Sequence, residues 1–119
     1  MPVQAFAQTR PKVPIVIQGG TREACADIGL VIGLRPKGAR SLAVKAGPGA
    51  SYAQIDKLNE GKQVYLCGER NDWYAVVYAQ TRTDCNVSTP WPKTRSYTGP
   101  CHAGWVHKRY VKSYAASRR

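Results

Sequence analysis

Residues 63–79 read QVYLCGERNDWYAVVYA. Two runs rich in Val, Tyr, Leu and Trp flank a polar stretch. Residues 63–67 (QVYLC) make a clear strand candidate, and residues 73–79 (WYAVVYA) make the strongest one in the chain. β-Branched and aromatic side chains suit a pleated, half-buried surface. Glu69, Arg70, Asn71 and Asp72 supply the turn that joins the two runs.

Strand and turn alternate on both sides of this stretch. Residues 29–34 (GLVIGL) predict a strand, and Arg35-Pro36-Lys37-Gly38 a turn. In residues 41–46 (SLAVKA), Leu42 and Val44 face one way, and Ser41, Ala43 and Lys45 the other. Gly47-Pro48-Gly49 stops that run, and residues 52–58 lead into a turn at residues 59–62 (NEGK). Residues 80–103 are polar and Pro-rich. Residues 104–107 (GWVH) predict a last core strand, and residues 108–111 (KRYV) close the domain as a one-turn helix. Short strands separated by turns roughly every 8–12 residues imply an all-β small barrel of five to seven strands.

The chain has 119 residues, which fits one domain with one core. Its 43% hydrophobic fraction is ordinary for a globular protein and argues against wholesale disorder. No apolar run approaches the roughly 18–20 residues that span a membrane as a helix. Lys and Arg number 18 against 7 Asp and Glu, a formal charge of +11. The last acid is Asp84, so the C-terminal third is basic, aromatic or neutral. Such a field attracts polyanions: nucleic acid, anionic lipid or acidic wall polymer.

The four cysteines are Cys25, Cys67, Cys85 and Cys101. None lies in a C-x-x-C pair. Cys85, Cys101, His102 and His107 match no usual zinc spacing, so no metal and no cofactor is expected. Two disulfides in a small exported domain are the more economical reading. Ala5-Phe6-Ala7 before Gln8 looks like the cleavage region of a secretory signal, without its charged and apolar parts. The expected organisation is therefore a signal remnant or tether over residues 1–20, a barrel over residues 21–113 and a basic tail over residues 114–119.

Four motifs stand in order along the chain. The first holds Leu42, Val44, Lys45, Gly47, Pro48 and Tyr52. The second holds Ile55, Leu58, Gly61 and Val64, and the third Trp73 and Val76. The last holds Gly104, Trp105, Val106, Tyr110 and Val111. Together they resemble the bacterial SH3 domain, whose members carry L-x-V-R-x-G-P-x-x-x-Y, I-x-x-L-x-x-G-x-x-V, W-x-x-V and G-W-V-x-x-x-Y-L. The chain departs from that pattern in three places. Lys45 replaces the Arg, which removes a planar bidentate donor. Residues 80–103 replace a short hairpin. An N-terminal extension, residues 25–34 (CADIGLVIGL), is expected to add a strand to the barrel.

Cys85 and Cys101 bracket the long loop. A disulfide between them would contribute on the order of 3 kcal/mol by limiting the unfolded chain. Cys25 would then pair with Cys67, the two other connectivities remaining open.

The resemblance implies a non-catalytic binding module for cell-wall peptide, peptidoglycan or an envelope protein. No G-x-S-x-G and no metal motif is present, so no enzyme activity is expected. Cys101 beside His102 or His107 would be a nucleophile only if reduced. The candidate ligand-binding residues are Tyr52, Trp73, Tyr78, Trp91, Tyr97, Trp105 and Tyr110. Flat rings stack on peptide or sugar faces. Trp73 and Trp105 serve equally well as core, and Trp91 as a pin holding the loop. Lys93, Arg95, Lys108, Arg109 and Lys112 form the candidate basic surface. The chemistry points to a periplasmic or secreted location. Two alternatives stand beside it: a nucleic-acid-binding basic barrel, and an inhibitor or adaptor acting through the 85–101 loop.

Overall fold

The hairpin read from residues 63–79 lies in the middle of the main sheet. The computed structural model describes residues 11–20, 24–25, 27–34, 41–80 and 84–115. Its strands are β1 (Val16–Ile17), β2 (Asp27–Val31), β3 (Leu42–Lys45), β4 (Gln54–Leu58) and β5 (Gln63–Arg70). Then follow β6 (Trp73–Tyr78), β7 (Arg95–Ser96), β8 (His102–His107) and β9 (Val111–Ala115). A 3-10 turn (Lys108–Tyr110) joins β8 to β9, as its sequence predicted. Seven strands form one antiparallel sheet in the order β4-β3-β8-β6-β5-β2-β9, and β1 pairs with β7 in a second.

The hairpin turn is tighter than expected. Arg70 pairs directly with Trp73, leaving Asn71 and Asp72 as the loop. Asn71 has φ 55°, a left-handed conformation that Asn tolerates better than most residues. The N-terminal extension does add a strand, since β2 sits between β5 and β9.

All seven strands of the main sheet feed one apolar interior. It includes Val31, Val44, Ile55, Leu66, Val76, Val106 and Val111. One face can converge in this way only if the sheet curls around it. The curled sheet is not closed by hydrogen bonds between β4 and β9. Side-chain and loop contacts draw β4 towards β2 instead. The Glu60 carboxylate accepts from the amides of Gly33 and Leu34 at 3.2 and 3.0 Å. Gly61 N donates to Val31 O at 2.8 Å. Gly104 lets β8 approach β3, because a Cβ there would run into the Val44 side chain.

A second apolar cluster covers the other face of β5, β6 and β8. It contains Ile15, Ile17, Cys25, Cys67, Trp73, Val77, Val87 and Trp105. Strand β6 is therefore buried on both sides, which explains why WYAVVY is a continuous apolar run. The cover is made by two segments far apart in sequence. Val16 pairs with Ser96 and Ile17 with Arg95. Tyr97 N donates to Ile15 O, Gly20 N to Trp91 O and Cys25 N to Val87 O, each at 2.8–2.9 Å. Disulfides Cys25–Cys67 and Cys85–Cys101 pin this layer, the pairing that the loop bracket suggested.

Two boundaries are corrected. Residues 11–20 are not a tether outside the fold, because Ile15 and Ile17 are 1% and 0% exposed in the outer cluster. Residues 114–119 are not wholly a tail, because Tyr114 and Ala115 continue β9 in register with Ile28 and Asp27. The remainder of both segments, the alanine triplet Ala5-Phe6-Ala7 and the turn at residues 35–38 lie outside the described residues.

Candidate binding cleft

The seven candidate aromatics separate into three groups. Trp73, Tyr78 and Trp105 are 9%, 1% and 4% exposed and pack in the core, Trp73 also bordering the cleft described below. Strand alternation decides this: Trp73 and Trp105 point into the outer cluster and Tyr78 into the inner one. Their polar atoms are satisfied internally. Trp105 Nε1 donates to Val13 O at 2.9 Å. The Tyr78 hydroxyl donates to Asp56 Oδ2 at 2.5 Å. Burial pushes that hydroxyl far above the ordinary tyrosine range, and Asp56 pushes it further.

Trp91 and Tyr97 form the second group, on the disulfide-bracketed loop. Their rings stack with centroids 6.3 Å apart. Trp91 Nε1 donates to Asn86 O at 2.7 Å. The Tyr97 hydroxyl donates to Cys85 O at 2.8 Å and accepts from Cys101 N at 3.2 Å. Burial raises its pKa. Arg95 lies 5.0 Å over the Trp91 ring. These contacts tie the loop to itself and to the outer cluster. Lys93 and Arg95 are exposed on the same loop.

Tyr52 and Tyr110 form the third group, both partly buried against the inner core. Tyr52 lies against Gly47, whose Cβ would meet its ring at 2.5 Å, and packs on the inner core. Tyr110 borders a cleft of about 320 Å³. Leu34, Leu42, Ala43 and Trp73 supply its apolar side, and His107, Arg109 and Tyr110 its rim. His107 lines the cleft and was not among the binding candidates read from the sequence. Its signal was its place, immediately before a one-turn helix. His107 Nδ1 accepts from Arg109 N at 3.1 Å and so caps the 3-10 turn. Its ring stands edge-on to Trp73 at 5.2 Å and to Tyr110 at 6.4 Å.

The basic residues near this cleft are unequal. Lys108 Nζ lies 2.6 Å from Glu69 Oε1, which raises its pKa, and 5.4 Å over Tyr74. Arg109 is exposed on the rim. Lys112 on β9 extends over Tyr114 at 5.8 Å. A larger groove of about 440 Å³ runs past Ile28, Lys62 and Tyr65. Its cation, Lys62, donates to the Ala79 carbonyl.

The Cys85–Cys101 disulfide removes two ligands from the zinc set and the thiol from any Cys–His nucleophile. Among the described residues no group of three His, Cys, Asp or Glu could hold a metal ion. Among the same residues no helix is long and apolar enough to cross a membrane.

The family model for the bacterial SH3 domain matches residues 40–112, well over half of the chain. The match spans β3 to the start of β9 and leaves out β1, β2 and Cys25. Comparison with curated proteins and with solved structures finds no match.

Proposed function

The chain belongs to the bacterial SH3 domain family, and from that premise we propose that it is an exported, non-catalytic module that binds cell-wall peptide through the cleft beside Tyr110. The observation that carries this reading is the construction of the cleft. It joins an apolar side to an aromatic rim on a capped, rigid turn. Pockets for small peptides combine apolar lining with a few placed polar groups. Export is supported by two disulfides, which persist in oxidising compartments. The excess of 11 positive charges would hold the module near anionic wall polymer.

Retention on purified peptidoglycan at low and moderate salt tests the proposal. The wild-type chain should be retained at both, and Tyr110→Ala, shown to be folded at the assay temperature, should not. Absence of retention of the wild type at either salt would defeat the wall reading.

Two other readings keep one observation each. Lys93 and Arg95 stand exposed on the 85–101 loop, which favours a chain that acts on a partner protein as inhibitor or adaptor through that loop. The net charge alone favours nucleic acid, and it predicts binding that weakens steeply with salt.

A further inference from the structure

Resting on the wall-peptide reading, we infer that the cleft recognises a free C-terminal carboxylate, with Arg109 as its charged anchor and small apolar residues ahead of it. The argument begins from the donors and acceptors on the rim. His107 Nδ1 is occupied as acceptor for Arg109 N–H. The neutral ring then carries its proton on Nε2, which is a donor. The Arg109 guanidinium offers only donors. Ser41 and Tyr110 add hydroxyls, which donate or accept. The remaining described lining residues are apolar, and none of the described lining residues is a carboxylate.

A rim of this kind is matched by a group that only accepts. A carboxylate is such a group, and its hydrogen bonds to an Arg are charge-assisted and bidentate. Neutral backbone carbonyls would accept single hydrogen bonds from Arg109, weaker than the charge-assisted pair a carboxylate makes. The other basic residue of the turn cannot substitute, because Lys108 already pairs with Glu69.

The position of the charge identifies the source of the carboxylate. Arg109 stands on the same cleft as Leu34, Leu42 and Ala43. A chain terminus places an apolar side chain within one residue of its carboxylate. An acidic side chain would instead put its own stem over that apolar surface. The His107 cap fixes the Arg109 backbone before any ligand arrives, which lowers the ordering cost of binding. The cleft of about 320 Å³ has room for a short run of small residues.

The test uses the full chain and three N-acetylated peptides, followed by NMR titration. The first is trialanine with a free carboxylate, and the second is trialanine amide. The third is Ala-Glu-Ala amide, which carries its carboxylate on a side chain. The free acid is expected to bind roughly tenfold or more tighter than either amide, the range of one charge-assisted hydrogen bond. Arg109→Gln should abolish that preference. Lys57→Gln, the same loss of charge on β4 outside the cleft, should keep the preference. Equal binding of free acid and amide would overturn the carboxylate inference while leaving the cleft reading in place. Preference for Ala-Glu-Ala amide would overturn it in favour of an acidic side chain. If no peptide binds yet peptidoglycan retains the protein, the inference fails alone. If peptidoglycan also fails to retain it, the wall reading fails with it.

Discussion

Ile17→Ala tests whether the N-terminal segment belongs to the fold. Ile17 is fully buried among the outer cluster that also holds Trp105, Val87 and Cys85. Its neighbour Val16 is 43% exposed on the same two-residue strand. Deleting the buried branched side chain should cost about 2–5 kcal/mol, from lost transfer energy and the cavity left behind. Val16→Ala should stay within about 0.5 kcal/mol. Small domains have a total stability of about 5–15 kcal/mol, so the first change is a large fraction of it. Urea denaturation with both disulfides intact, followed by tryptophan emission, measures the difference. A loss of about 3 kcal/mol lowers the urea midpoint by roughly 1–3 M. If the two variants melt within 0.5 kcal/mol of each other, the outer layer is not holding the sheet. Residues 11–20 would then be the tether that the polar, Pro-broken sequence suggested.

The disulfides should differ in the order of the loops they close. Cys25 and Cys67 are 42 residues apart, worth about 4 kcal/mol, and Cys85 and Cys101 are 16 apart, worth about 3. Denaturation of the two double-alanine variants checks this, and a clear reversal would count against the loop-entropy account. At alkaline pH the buried Tyr78 sets a slope. Its folded pKa lies above the unfolded value near 10, so its contribution is intact below about pH 10 and is lost as pH rises beyond it, by up to about 1.4 kcal/mol per unit. Stability measured from pH 9 to 11 should fall more steeply in the wild type than in Tyr78→Phe, and parallel curves would refute the assignment. Gly104→Ala forces a methyl group into the Val44 side chain and should cost about 1–3 kcal/mol. A melting midpoint equal to the wild type would mean that β8 and β3 are not in close approach.

Much of the barrel was legible because its signals are local. Strand-forming runs, the Asn71-Asp72 turn and the order of the four motifs each depend on a few neighbouring residues. The one-turn helix at Lys108–Tyr110 was legible in the same way. Strand β9 was not, because residues 111–115 (VKSYA) mix apolar and polar side chains without a clear pattern on an edge strand. Among its described side chains, Val111 enters the inner core. The alternation Ile15-Val16-Ile17 was present in the sequence, but Pro14 and the polar flanks hid it.

The assignment of aromatic residues shows where local chemistry stops. Period-2 alternation places Trp73, Ala75 and Val77 on one face of β6 and Tyr74, Val76 and Tyr78 on the other. It says nothing about what covers each face. In a simple barrel the outer face meets water, and Trp73 and Trp105 would be available to a ligand. Here residues 13–20, 24–25 and 85–101 meet on that face, hydrogen-bond to each other and bury both rings. The cleft arises in the same way, from Leu34, Leu42, Trp73 and Tyr110, which no motif groups together. The sequence by itself determined the strands, their turns, the family motifs and the bracketing of the loop, because those follow from neighbouring residues. Only the tertiary structure decided that the segment around Ile15–Ile17 and the long loop are one covering layer, because that depends on contacts between segments about 80 residues apart, such as Ile17 with Arg95.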